Sequence, residues 1–139
     1  MKTINLRFND RIGVRGLLNA KYIQGGLTLD TLKDATHLLE KVSMETIWAK
    51  KPDKDGTIKA IGGEEAKKLN LRRLTSKNLK GEDVSQLIWD VKQDTPKAIE
   101  ITADEVKLLK EIIQEKNDKK EIKLDDLWLA DVSAQLNDN

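Results

Sequence analysis

Ala98-Ile99-Glu100-Ile101-Thr102-Ala103-Asp104-Glu105-Val106 is the stretch on which the fold class turns. Ala98 to Ile101 reads as a brief strand. Thr102, followed three residues later by Glu105, forms a capping box: the threonine oxygen accepts the third amide of a helix, and the glutamate reaches back to the threonine N–H. The helix is predicted to run to about Lys116, with Val106, Leu109, Ile112 and Ile113 on its buried side. A strand that hands over to a capped amphipathic helix points to an α+β fold.

Downstream, Asn117-Asp118-Lys119-Lys120 interrupts the pattern, and a last helix from about Asp125 carries Leu127, Trp128, Val132 and Leu136. The short link predicts an antiparallel C-terminal helix pair. Upstream, Thr95-Pro96 breaks the chain. Residues 82–93 fit two periods: Val84, Leu87, Ile88 and Val91 match a helical face, while Leu87, Trp89 and Val91 match a strand. Residues 64–80 read as a short helix followed by an irregular, very basic segment. Glu45–Lys50 and Thr57–Ile61 flank Pro52-Asp53-Lys54-Asp55-Gly56, which is turn chemistry between two extended pieces and predicts a hairpin.

At the N-terminal end, Thr3–Phe8 alternates as a strand. Asn9 or Asp10 is placed to cap a helical turn through Ile12, Val14, Leu17 and Leu18, which Gly13 and Gly16 weaken by about 1 kcal/mol each. After Gly25-Gly26, Thr28 or Asp30 caps a helix over about 29–43, with Leu29, Leu32, Ala35, Leu39 and Val42 as its buried stripe. The expected architecture is small antiparallel hairpins packed against about four helices, in a single domain spanning 1–139. At this length, such a domain buries roughly 68–70% of its unfolded surface and needs no staples.

The chain has 139 residues and no cysteine, which excludes a disulfide framework, a thiolate zinc site and a cysteine nucleophile. Met1–Arg11 alternates without the apolar core of a signal peptide, and no run is long enough to span a membrane. We therefore expect a soluble protein. Net charge is +1, but the distribution is uneven: residues 1–80 hold 17 Lys and Arg against 9 Asp and Glu, and residues 81–139 hold 8 against 15. In sequence the chain is a dipole of +8 and −7, and such local fields steer partners.

Several motifs resemble a family of small phage and prophage proteins. They are Asp10-Arg11-Ile12 with Leu17-Leu18, Ile88-Trp89-Asp90, Thr95–Thr102 with Glu105, Leu108-Leu109-Lys110 and Lys119–Asp125. The resemblance covers about two-thirds of the chain. It implies a small α+β protein without catalytic residues, a strand at 86–91 paired with 97–101, and a divergent basic insertion at 50–80. It also implies a place in the cytoplasm of a bacterial host cell or in a virion.

Asp53-Lys54-Asp55-Gly56-Thr57-Ile58 resembles the centre of a calcium loop, but lysine stands at its first position (Lys51) and glycine at its twelfth (Gly62). His37, with Asp34 and Asp30 on one helix face, is the only histidine and reads as a solvated side chain. Glu111 and Glu115 are surface carboxylates interleaved with lysines, with nothing to shift them towards acid–base work. Gly62-Gly63-Glu64-Glu65 puts acid where a phosphate loop needs lysine. No catalytic residue, metal or cofactor is expected.

The unusual run is Lys67, Lys68, Arg72, Arg73, Lys77 and Lys80, with no acid from Ala66 to Lys80. Trp48 is read as the tryptophan most open to a partner. Two functions follow. The first is a phage-encoded, non-enzymatic interaction or assembly protein that binds a host protein, a phage protein or copies of itself. The alternative is a small nucleic-acid-binding factor that neutralises phosphates through 66–80. The run has no interleaved aromatics for base stacking.

Overall fold

The structure, a computed structural model, describes residues 1–138. It is an α+β protein that packs as two compact units. Met1–Ser43 and the residues from Pro96 onward form the first, and Met44–Thr95 form the second. The basic stretch 50–80 lies wholly inside the second unit.

In the first unit, β1 (Lys2–Leu6) pairs antiparallel with β6 (Lys97–Ile101), Ile4 opposite Ile99. Four helices complete it: α1 (Phe8–Gln24), α2 (Leu29–Val42), α4 (Ala103–Asp118) and α5 (Trp128–Asn137). Alternation turns Ile4, Leu6, Ile99 and Ile101 to one side of the two-stranded sheet. There they meet Val14 and Leu18 of α1, Leu38 and Val42 of α2, Leu109 of α4 and Val132 and Leu136 of α5 in one core. Thr102 caps α4 as its spacing predicts: its Oγ1 accepts Glu105 N–H at 3.1 Å, and its own N–H donates to Glu105 Oε1 at 2.8 Å. The α4–α5 pair is antiparallel. Asn117 shares a groove with Leu127 and Ala130, while Lys110 lies beside Leu136 and Asn137.

Several expectations are corrected here. Arg7, not Asn9 or Asp10, takes the cap position of α1, and Asp10 accepts the Arg7 N–H at 3.0 Å from inside the first turn. Helix α1 runs through both glycines. Gly13 is the site of a close approach, since a Cβ there would stand 2.3 Å from the Trp128 ring of α5. Leu29 of α2 is 86% exposed, and the buried stripe is Ala35, Leu38 and Val42. Leu27, just before the helix, packs on the core in place of Leu29. Leu127 is exposed as well, because a 3-10 turn at Leu124–Asp126 precedes α5 and rotates it off the buried side.

The second unit is a four-stranded antiparallel sheet ordered β2-β3-β4-β5, with a short helix α3. The strands are β2 (Ile47–Trp48), β3 (Thr57–Gly62), β4 (Arg72–Lys77) and β5 (Asp83–Ile88), and α3 is Glu64–Lys68. The β2–β3 hairpin forms as expected. Its turn is closed by Gly56 N–H on Asp53 O (2.9 Å) and Asp53 N–H on Thr57 O (2.8 Å). Gly63, at φ +90°, lets the chain leave β3 where a Cβ would strike Glu45 O at 2.0 Å. Ala66, Leu69 and Leu71 are the buried apolar residues of this unit.

Two readings fail in this unit. The basic segment is not irregular: Arg72–Lys77 is a regular strand. Residues 83–88 are a strand, followed by a 3-10 turn at Val91–Gln93, but their partner is β4 and not 97–101. Ile99 and Ile101 find their buried partners on β1 instead, where Ile4 and Leu6 present matching apolar faces.

Candidate interaction site

The sequence candidates fall on β2 (Trp48), α3, β4 and the tip of the β4–β5 hairpin, all in the second unit. In an antiparallel ladder, directly opposed residues point to the same face. Arg73 sits opposite Ile58 and Leu87, and Trp48 sits opposite Ala60, so Arg73 and Trp48 share a face. The Arg73 guanidinium lies 5.0 Å from the Trp48 ring centroid, a cation–π contact. Trp48, Trp89 and Trp128 are all half-buried.

The other cations find acids that the linear reading placed in the far half of the chain. Arg72 Nη2 is 3.2 Å from Asp90 Oδ1, and its Nε donates to Asn70 O at 3.0 Å. Lys77 stands directly opposite Asp83, with Nζ and Oδ1 3.3 Å apart. Lys67, Lys68 and Lys80 are exposed and form no ion pair among the described residues, although Lys67 and Lys68 share a five-residue helix with Glu64 and Glu65. The dipole of the sequence dissolves in the fold. Residues 44–95 carry 11 Lys and Arg against 9 Asp and Glu, and the remaining residues carry 14 against 15.

What distinguishes the site is the shape of the β4–β5 ribbon. Strand β3 pairs with β4 only at Arg72, Arg73 and Leu74. Beyond that point Thr75, Ser76 and Lys77 pair with Ser85, Val84 and Asp83 alone, and all six residues are exposed whichever face they take. The tip ends in Asn78-Leu79-Lys80-Gly81-Glu82. There Asn78 Oδ1 accepts the N–H groups of Lys80 (2.9 Å) and Glu82 (3.0 Å), and Leu79 is fully exposed. A two-stranded ribbon with no core beneath it is marginal on its own in water.

Elsewhere, His37, Asp30 and Asp34 of α2 face Asp104, Lys107 and Glu111 of α4 across an open polar groove. Among the described residues no three His, Asp or Glu side chains converge to hold a metal ion. Asp53 is engaged by Lys59 (3.4 Å), and Asp55 accepts the Thr57 N–H (3.3 Å), within the hairpin turn. Four charged residues are buried, Asp10, Arg11, Asp94 and Glu105, and sequence reasoning missed the burial of Arg11 and Glu105 in particular. Arg11 donates from Nε to Val42 O (3.1 Å) and from Nη2 to Ser43 O (2.8 Å), closing the C-terminal end of α2, where a cation is favoured. Glu105 meets Lys41 at 2.5 Å. The available signal was position: Arg11 and Glu105 stand in the apolar stripes of their helices.

No described helix is long and apolar enough to cross a membrane. In comparisons with protein-family models, with curated proteins and with solved structures, nothing matches this chain. The class that fold and site define is an α+β protein with a projecting, charge-balanced β-ribbon.

Proposed function

We propose that this is a non-enzymatic protein-interaction or assembly protein, encoded by a phage or prophage and acting on a protein partner in the host cell or the virion. The observation that supports it is the ribbon itself: Thr75–Lys77 and Asp83–Ser85 are exposed on both faces, yet their one cation, Lys77, is paired with Asp83 across the ladder. A ribbon that served phosphates would leave its cations free to release counterions. One that is neutral, extended and uncovered suits a protein surface, to which it offers backbone groups and small side chains.

The nucleic-acid reading keeps one supporting observation, the unpaired Lys67, Lys68 and Lys80. Two measurements decide between them. A photo-cross-linking residue at Gln86 in cells that make the protein is expected to capture a protein. Sedimentation velocity with a duplex of about 30 base pairs is expected to show no stable complex at physiological salt. A sub-micromolar, salt-sensitive duplex complex abolished by Arg72→Ala with Arg73→Ala would overturn the proposal in favour of nucleic acid.

A further inference from the structure

The two edges of the second sheet are built differently. β2 is two residues long and its register shifts between Ile47 and Trp48, a short, bulged edge that resists further pairing. β5 is six residues long, pairs with β4 without a break, and contains neither lysine, proline nor bulge. Apart from the charge of Asp83 at one end, it lacks the devices by which natural edges avoid one another.

The phase of its hydrogen bonds follows from two contacts. Ala60 N–H donates to Leu71 O, and Asn78 N–H donates to Glu82 O, both at 3.0 Å. Antiparallel ladders alternate hydrogen-bonded and non-hydrogen-bonded pairs. Counting from either contact, Arg72, Leu74 and Ser76 exchange their bonds with Ile88, Gln86 and Val84. The backbone groups of Asp83, Ser85 and Leu87 therefore point away from the sheet, and no described strand takes them.

We propose that β5 is a self-association edge, and that its occupant is β5 of a second copy of this chain, antiparallel and centred on Ser85. In that register Ser85 opposes Ser85 of the second copy, and Asp83 opposes Leu87, so each outward residue exchanges both of its bonds. Val84 opposes Gln86. Asp83 is the only charge on the strand; the two-fold axis keeps its copies apart, whereas an in-register parallel pairing would stack them. The join makes one continuous sheet from two and gives the exposed ribbon a third strand, which its distal half lacks. This deepens the interaction reading and rests on it. A one-strand contact is small, so the association is weak and reversible.

The full chain is tested by sedimentation velocity from about 1 to about 500 µM, the range in which small interfaces associate. A concentration-dependent monomer–dimer equilibrium is expected. Ser85→Pro removes only an outward N–H, a place where edge strands tolerate proline, and Ser85→Lys adds an edge charge. Each should raise the dissociation constant about tenfold or more while leaving the circular dichroism and melting temperature unchanged. Because the chain has no cysteine, Ser85→Cys reports the register alone: it should oxidise to a disulfide dimer, while Thr75→Cys on β4 should not. Should Ser85→Pro fail to fold, Ser85→Lys and Ser85→Cys still decide. A monomer throughout the range, or a dimer indifferent to the folded Ser85 variants, overturns the proposal. If that monomer still cross-links another protein from Gln86, the interaction reading stands without self-pairing. If Gln86 captures nothing, the reading falls as well.

Discussion

Lys41 Nζ of α2 lies 2.5 Å from Glu105 Oε1 of α4, joining a side chain that keeps 30% of its surface to one that keeps 2%. Glu105 thus serves two partners at once, the Thr102 N–H and the Lys41 ammonium. Burial pushes its carboxyl up, but the hydrogen bond and charge of Lys41 and the bonds from Thr102 together hold it below its ordinary value. Removing the lysine strands a buried carboxylate. Lys41→Met should cost about 2 kcal/mol at neutral pH, less than the roughly 3–5 kcal/mol of a fully buried pair because Lys41 is partly solvated. Urea denaturation measures it.

The pH dependence has a definite sign. A carboxylate depressed in the folded state stabilises above its unfolded value of about 4.3 and loses that contribution as pH falls through the folded value. In Lys41→Met only the Thr102 bonds still oppose burial and the carboxyl rises, so the variant gains relative to wild type on acidification. The gap between the two proteins should narrow from pH 7 to pH 4. A gap that stays constant would detach Glu105 from Lys41.

Thr102 contributes its own share of the same corner. Thr102→Ala removes the acceptor for Glu105 N–H and should lower stability by about 1 kcal/mol. Thr102→Ser should restore most of it, and a neutral Thr102→Ala would count against the cap.

Gly13 and Gly16 share a helix and should respond in opposite directions. A Cβ at Gly13 meets the Trp128 ring within 2.6 Å, whereas nothing lies within 4 Å of one at Gly16. Gly13→Ala should destabilise by about 1–3 kcal/mol, the usual cost of overpacking, and shift tryptophan fluorescence. Gly16→Ala should stabilise by roughly 0.5–1 kcal/mol, since alanine is the better helix former. Thermal melts of the two variants should bracket wild type.

Calcium and zinc should leave the melting temperature where it is. An ion binding only the folded state at a hundredfold its dissociation constant would add about 2.7 kcal/mol and raise the melt visibly. A saturable rise would reinstate Asp53, Asp55 or His37 as ligands.

What could be read from the sequence was whatever the chain settles over four or five residues. Thr102 and Glu105, Thr28 (one of the two caps the spacing allows for α2) and the Pro52–Gly56 turn all satisfy their own backbone locally. Arg72-Arg73-Leu74-Thr75-Ser76-Lys77 shows no alternation of apolar and polar residues because half of that strand packs on nothing. Its ladders with β5, and with β3 at Arg72–Leu74, make it a strand. The charge dipole misled for a related reason. Halves of a sequence need not be halves of a structure, and Asp83 and Asp90 return to the segment they seemed to oppose. Glu105 was legible as a capping glutamate but not as the partner of Lys41, and Arg11 not as the group that closes α2, since a charge in an apolar stripe shows its partner only when another helix arrives.

The order in which the units are completed follows from where the second one is inserted. Every ladder of Met44–Thr95 joins neighbours along the chain, whereas β1 must wait for β6. On a ribosome adding roughly 5–20 residues per second, β1 emerges about 5–20 s before its only partner strand. The inserted sheet can finish its pairings in that interval, and once folded it shortens the loop whose closure brings Ile4 to Ile99. The local ladders of the insertion are thus available before the first unit holds both strands of its own sheet.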